Sequence, residues 1–395
     1  MHYDLAEMTN PAASQSVLEY LRFCEQRQPD MLAMLQCFVE RESPSYNKDA
    51  MDRLGEVLAQ EFERMGGTVK MHPQTEHGDH VQADFSGDKN GKPILLLGHF
   101  DTVWPRGTLA SMPFRIDSKT GRAHGPGVLD MKAALVMMMY ALQALKDAGA
   151  QHRPVTIFLD TDEEIGSESS RPIIEDLARG CEAVLVLEPG QGPQGLLKTS
   201  RKGVGNYRIR VHGVASHAGV DFDKGHSAVI ELARQILEIT KFVDLTRGIT
   251  VNPGVIRGGT RSNVIAAEAS VEVDVRIARM ADAGTVSEKF SAVRAFDSQC
   301  RVEVTGGVNR PPMERSAGTA RLFEIAQGVG RQLGLELGES STGGGSDGNF
   351  TAALGIPTLD GLGAVGEGAH ADSESIVLSQ LHLRTALLAG LIQQL

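Results

Sequence analysis

The chain has little with which to staple itself, grip nucleic acid or cross a membrane. Its 395 residues include four cysteines, Cys24, Cys37, Cys181 and Cys300, scattered without a C-x-x-C pair. Neither a disulfide framework nor a thiolate zinc site is indicated, and buried free thiols are expected. Positive charge is in deficit, with 39 Lys and Arg against 50 Asp and Glu and a net charge of -11. No basic stripe stands out to release counterions from phosphates, which argues against nucleic acid as a partner. The most apolar stretch, "AALVMMMYALQAL" from Ala133 to Leu145, has twelve apolar residues in thirteen but falls short of the roughly 20 that span a bilayer. It reads as a buried helix, with its methionines as adaptable core filler and no role at a membrane. The opening "MHYDLAEMTNPAAS" lacks a basic region followed by an apolar one, so no signal peptide is expected and a cytoplasmic location follows.

What is present describes a globular protein, 41% hydrophobic and 23% charged, long enough for two domains. The first half alternates helical and strand patterns. Helices are expected near 13–40 and 48–65, strands near 68–72 and 80–86, then the buried strand "PILLLGHF" (Pro93 to Phe100). A helix after Asp130, strand 154–159, a helix near 170–178 and the strand "AVLVLEP" (Ala183 to Pro189) follow. This is the grammar of an α/β domain with a mostly parallel central sheet flanked by helices.

From about 203 the order changes to strand, helix 224–241, strands 249–257 and 265–277, helix 282–296 and strand "RVEVTG" (Arg301 to Gly306). That is the β-α-β-β-α-β order of a ferredoxin-like α+β unit. The expected domains are therefore 1–202, an insert over 203–308, and 309–395 completing the first. The last segment holds helix 316–334, the loop "STGGGSDGNF", a short strand "PTLDGLG" and a helix from about 378.

Against that frame, "FLDTDEEIGSESS" (Phe158 to Ser170) places five acidic residues directly after a strand-like run. The preceding "VTIFL" is β-branched and apolar, as in a strand buried on both faces. Carboxylates at the carboxyl end of such a strand point into the crevice where open α/β sheets bind ligands, and crowded there they need a cation. Candidate partners lie elsewhere. "GHFDT" puts His99 and Asp101 two apart past an apolar strand, on one face, where a carboxylate can orient an imidazole for a metal. Asp130, in "GPGVLDMK", fits either an ordinary helix N-cap or a ligand. Of the adjacent Glu163 and Glu164, one can turn to a metal while the other faces a water. Glu188 ends "AVLVLEP", and His370 sits among small residues in "GEGAHADSE". Oxygen and imidazole donors without thiolate suit zinc, and also manganese or cobalt. A carboxylate shared by two ions, with one histidine and one carboxylate added to each, would form a co-catalytic pair.

These residues resemble the dinuclear zinc exopeptidases and deacylases that include glutamate carboxypeptidase, acetylornithine deacetylase and succinyl-diaminopimelate desuccinylase. The resemblance runs through "GHFDTVWPRGT", "GPGVLDMKAAL", "DTDEEIGS", "LEPG", "ASHAG", "GGGSDGNFTAALGIPTLDGLG" and "GAHADSE". It implies two Zn2+ per chain, with Co2+ or Mn2+ as possible substitutes. Asp130 would bridge them, His99 and Glu188 would complete one site, and Glu164 and His370 the other. It implies Glu163 as general base and Asp101 as the partner of His99. The insert is expected to mediate a homodimer, with His217 of "ASHAG" stabilising the oxyanion in a partner subunit's site. Ala133 stands where such proteins often have glycine, which leaves the ligands unaffected.

A dimetal site activates water for amide hydrolysis but does not choose the amide. Arg276 and Asn263 in "TRSNVIAAEASVEVDVR" are, by the resemblance, candidates for substrate carboxylate and oxyanion contacts, with Arg310 and the turn at Gly344 as further candidates. The likeness is greatest to the glutamate carboxypeptidase branch, so the expected substrate is a peptide, folate-like or N-acyl compound with a C-terminal, glutamate-like residue. N-acyl-amino-acid deacylation, desuccinylation or dipeptide hydrolysis is the alternative. A non-catalytic dimeric binding module would need a missing ligand or base, and none is missing.

Overall fold

The computed structural model describes residues 11–395. The opening residues on which the no-leader reading rests lie, up to residue 10, outside the described residues. Two compact units divide the chain. One runs to Thr199 and includes Arg315–Ser341 and Ser346–Leu395; the other is Ser200–Glu314 with Thr342–Gly345.

The first unit is built on a six-stranded sheet. In spatial order its strands are Thr68–His72, His80–Phe85, Val155–Asp160, Ile94–His99, Ala183–Val186 and Thr358–Leu359. The last four run parallel and the first two are antiparallel additions at one edge. Ile94–His99 and Val155–Asp160 are buried at every position, as strands covered on both faces must be. The register pairs His99 with Asp160, and Leu97 with Val186. Two parallel strands therefore end level and the third two residues earlier, and whatever follows them opens at one rim of the sheet.

Helices cover the sheet. In the helix Ala133–Asp147 every residue from Ala133 to Leu145 except Gln143 is buried, so its apolarity serves the core. The helix Lys48–Met65 is capped by the Asn47 side chain, which accepts from Ala50 N at 3.0 Å, and stops at Gly66 in the left-handed region, where glycine carries no Cβ penalty. The single helix expected near 13–40 is two, Pro11–Gln26 and Gln28–Val39. Pro29 explains the break, because proline lacks an N–H and is tolerated only in a helix's first turn. A small sheet of short strands, Arg115–Asp117, Arg122–His124, Ser375–Val377 and Gly366–Glu367, was not expected. All four cysteines are free; Cys24, Cys181 and Cys300 are buried, whereas Cys37 is only half-buried.

The second unit is an antiparallel sheet in the order Thr250–Gly258, Glu268–Ile277, Gly203–His212, Arg301–Arg310. With helices Ala228–Ile239 and Ala281–Ser291 it completes the ferredoxin-like order. Burial alternates along Gly203–His212 and Glu268–Ile277, so one face makes the core with Leu232, Ile239, Val286 and Phe290 from the helices. The Tyr207 and Phe290 rings stack with centroids 3.9 Å apart.

Candidate metal centre

Three of the five expected ligands follow strands of the six-stranded sheet, and the other two, Asp130 and His370, come from loops beside the small sheet. His99 is the last residue of its strand, Glu163 and Glu164 open a short turn after Asp160, and Glu188 lies two residues past Val186. His370 comes from the loop before Ser375–Val377 and holds a positive φ of 62°.

Asp130 decides between the two readings left open for it. The segment Val128–Lys132 is irregular, with Asp130 at φ -115°, ψ 89°, outside the helical region. The helix that follows has Lys132 at its N-cap position. Asp130 is therefore no N-cap, and its carboxylate is turned to the histidines. Its Oδ1 lies 3.2 Å from His99 Nε2 and its Oδ2 lies 3.2 Å from His370 Nε2. Glu188 Oε1 stands 3.5 Å from the same His99 nitrogen, and Glu164 Oε1 3.1 Å from the His370 one. Two sets result, His99–Asp130–Glu188 and Asp130–Glu164–His370, each with ligand atoms within 4.8 Å of one another. One carboxylate serves both.

The charges need a cation. At His99, burial opposes protonation, yet hydrogen bonds to Asp101, Asp130 and Glu188 outweigh it and hold the pKa well above the ordinary imidazole value. Asp130 and Glu164 push His370 up to about 10. Burial would raise Asp130, but the two histidines pull it well below the usual carboxylate range, while Glu164, for which burial dominates, is raised. Protons on two imidazoles thus supply the positive charge that the acids demand. Divalent ions would displace those protons and supply more. Two imidazole nitrogens with three carboxylates fit zinc, cobalt or manganese and lack the thiolates of a closed structural site.

Further residues hold the ligands in place. His99 Nδ1 lies 3.2 Å from Asp101 Oδ1. The other Asp101 oxygen accepts from Ser45 Oγ at 2.7 Å and from Glu164 N at 3.2 Å, so a fully buried carboxylate links ligands of both sets. The turn bearing Glu163 and Glu164 is pinned at its far end. Asp162 accepts from the Ser169 amide and hydroxyl at 2.7 and 2.8 Å, and Ser167, buried at φ 57°, donates to Asp347 at 2.5 Å. Ser45, Ser167 and Asp347 were missed in the sequence. Only the D of "GGGSDGNF" carried a signal, and nothing local ties it to a turn 180 residues away.

The remaining candidates lie in the second unit. His217 is exposed and accepts from Gly219 N at 3.1 Å; Asn263 is exposed, its carbonyl taking Ala218 N. Arg276 is engaged by its own strand, with Nε and Nη2 at 2.9 and 2.8 Å from Asp274 and Nη1 3.3 Å from the Gly343 carbonyl. Arg310 is buried. The Gly344 and Gly345 carbonyls accept from Arg201, a buried arginine that the sequence did not single out.

A family model described as peptidase family M20/M25/M40 matches residues 95–394. Carboxypeptidase G2 of Pseudomonas sp. (strain RS-16) is 30% identical over 377 residues, 93% of this chain and 90% of that protein. A succinyl-diaminopimelate desuccinylase of Acidovorax ebreus (strain TPSY) is 28% identical over 305 residues, covering 73% of this chain and 76% of its own. Among solved structures, aminopeptidase PepT from Bacillus cereus ATCC 10987 superposes with a TM-score of 0.77 at 22% identity, over 93% of this chain and 98% of the other. At that identity the likeness speaks for the fold alone.

The shared carboxylate makes a prediction about stoichiometry. Removing His370 should leave one set intact, so His370→Ala retains about one tightly held ion per chain, whereas Asp130→Ala, which damages both sets, retains well under one. Metal analysis after gel filtration reads the difference. Equal retention by the two variants would contradict the sharing.

Proposed function

The chain belongs to peptidase family M20/M25/M40, a family of metal-dependent peptidases, and from that premise we propose a two-zinc amide hydrolase that releases a C-terminal amino acid. The carrying observation is the division of the Asp130 carboxylate between two histidine-containing ligand sets. Zinc ions held there, for which cobalt or manganese could substitute, would lower the pKa of a water toward about 7 and polarise a carbonyl. Glu163, one residue before the ligand Glu164, would be the general base that accepts a proton during hydrolysis and returns it to the leaving nitrogen. Asp101 keeps the His99 ring oriented.

Release of a C-terminal residue is supported by the 30% identical relative that bears the name carboxypeptidase. Desuccinylation or other N-acyl-amino-acid hydrolysis is the second reading, favoured by the 28% identical relative. Both substrate classes present a carboxylate on the leaving side, and Arg276 is our candidate to read it. Asp274 holds Nε and Nη2 of its guanidinium and the Gly343 carbonyl takes one Nη1 N–H, so a substrate carboxylate would meet the second Nη1 N–H or displace that carbonyl. Asn263, Arg310 and the Gly344 turn are the further candidates for substrate contacts.

That unit also carries the proposed homodimer contact. Thr250–Gly258 is an edge strand, and along it Val255 and Ile256 are exposed. So are Ile230 and Leu237 on the helix Ala228–Ile239. An unpaired apolar edge invites a second chain, and His217 would then act in the partner's site.

Two measurements address these roles. Substrates amidated at the C-terminus should be cleaved far more slowly than their acids, and Arg276→Ala should lose roughly 30-fold or more in kcat/KM on the acids alone. An equal loss on acid and amide would remove Arg276 as the reader of that carboxylate. Glu163→Gln and His217→Ala chains should each be inactive by about 10²-fold or more, as for a lost proton acceptor or oxyanion donor. Mixed together under conditions of subunit exchange they should regain activity through hybrid dimers. Absence of rescue despite exchange would confine His217 to its own chain.

A further inference from the structure

Glu374 is fully buried, lies four residues beyond His370, and belongs to neither ligand set. Its carboxylate accepts four N–H groups. Oε1 takes Leu129 N at 2.9 Å and Asp130 N at 3.0 Å; Oε2 takes Gly127 N at 2.8 Å and Trp104 Nε1 at 3.0 Å. Three of the four donors are backbone amides of one turn, and that turn ends in Asp130.

The small sheet brings Glu374 there. Ser375–Val377 pairs antiparallel with Arg122–His124 in the register Ser375 with His124, so the residue before one strand stands beside the turn that follows the other. The turn needs such an acceptor. Gly127 is at φ 71°, and a Cβ there would meet Thr102 Cγ2 at 2.7 Å. With Asp130 also outside the helical region, its amide and that of Leu129 find their acceptor in this carboxylate. Buried amides without partners are costly, and charge-assisted bonds to one carboxylate both satisfy and fix them.

We propose that Glu374 is a positioning residue. It holds the Gly127–Asp130 turn so that Asp130 presents one oxygen to each ligand set. Its bond to Trp104, the chain's one tryptophan, ties indole fluorescence to the occupancy of the centre. The claim rests on the reading of Asp130 as a shared ligand. A merely structural Glu374 would affect unfolding and leave the affinity of a folded centre alone. A positioning Glu374 affects the centre itself.

The test is a cobalt titration of wild type and Glu374→Gln against a competing chelator, followed by the visible absorption of the bound ion and by tryptophan emission. Glutamine keeps the shape but turns one acceptor oxygen into a donor facing amides. Cobalt affinity should fall about 10- to 100-fold, the usual cost of losing a residue that orients a ligand, with an altered cobalt spectrum and kcat reduced more than KM is changed. In wild type, tryptophan emission should shift in step with metal uptake. A folded Glu374→Gln whose affinity, spectrum and kcat match wild type, with two ions bound in both, overturns the positioning role alone. Uptake of one ion by wild type overturns the shared-ligand reading and this claim with it. Should Glu374→Gln fail to fold, the wild-type emission decides: a shift that tracks occupancy supports the link, and a flat signal overturns it.

Discussion

Like charges crowded where water is scarce repel strongly, and this chain gathers them at one rim of one sheet. Asp101, Asp130, Asp160, Asp162, Glu164 and Glu188 lie at or just past the ends of three neighbouring parallel strands or in the turn beside them. Something positive must lie among them. Where no cation is near, the cost falls on the proton balance. Burial, with Asp347 and Asp162 adding to it, pushes Asp160 well above the ordinary carboxylate range. Asp130, between two imidazoles, is driven the opposite way. A pair of ions held by His99, Glu188, Glu164, His370 and the shared Asp130 would resolve this crowding, and hydrolysis would draw on the charge that the fold already concentrates.

The architecture serves that need. Parallel strands buried on both faces give a stiff base, and their register levels His99 with Asp160 to within one residue. Loops then add what strands cannot. The irregular turn at Asp130 aims both oxygens of one carboxylate in different directions, and the 162–169 turn is held where Asp162 takes the Ser169 amide and Asp347 the Ser167 hydroxyl. In the second unit a different economy rules. Its sheet buries one face, and its edge strand stays apolar where Val255 and Ile256 are exposed.

Much of this was legible in the sequence because it is local. Buried strands read as apolar runs, "PILLL" and "VTIFL", and an acid or histidine directly after such a run has few places to point. Alternation in "GNYRIRVHG" and "ASVEVDVR" marked a half-buried sheet. What stayed hidden depends on partners distant in sequence. Glu374 looks like one more surface acid in "HADSES" until a three-residue strand carries it beneath the Asp130 turn. Strands that short leave no periodic trace. The pairing of Arg276 with Asp274 was also invisible as a constraint, since alternate residues of a strand share a face whether or not they touch. Asp130 itself was ambiguous because a ligand and an N-cap look alike before a helix, and only backbone angles separate them.

Anomalous diffraction at the zinc edge from crystals of the metal-loaded protein tests the central claim most directly. The account predicts two peaks in each chain roughly 3.5–4 Å apart, the spacing of co-catalytic pairs. One should be bound by His99 and Glu188, the other by Glu164 and His370, with an Asp130 oxygen on each. A single fully occupied peak, or two peaks with Asp130 on one of them alone, would contradict it.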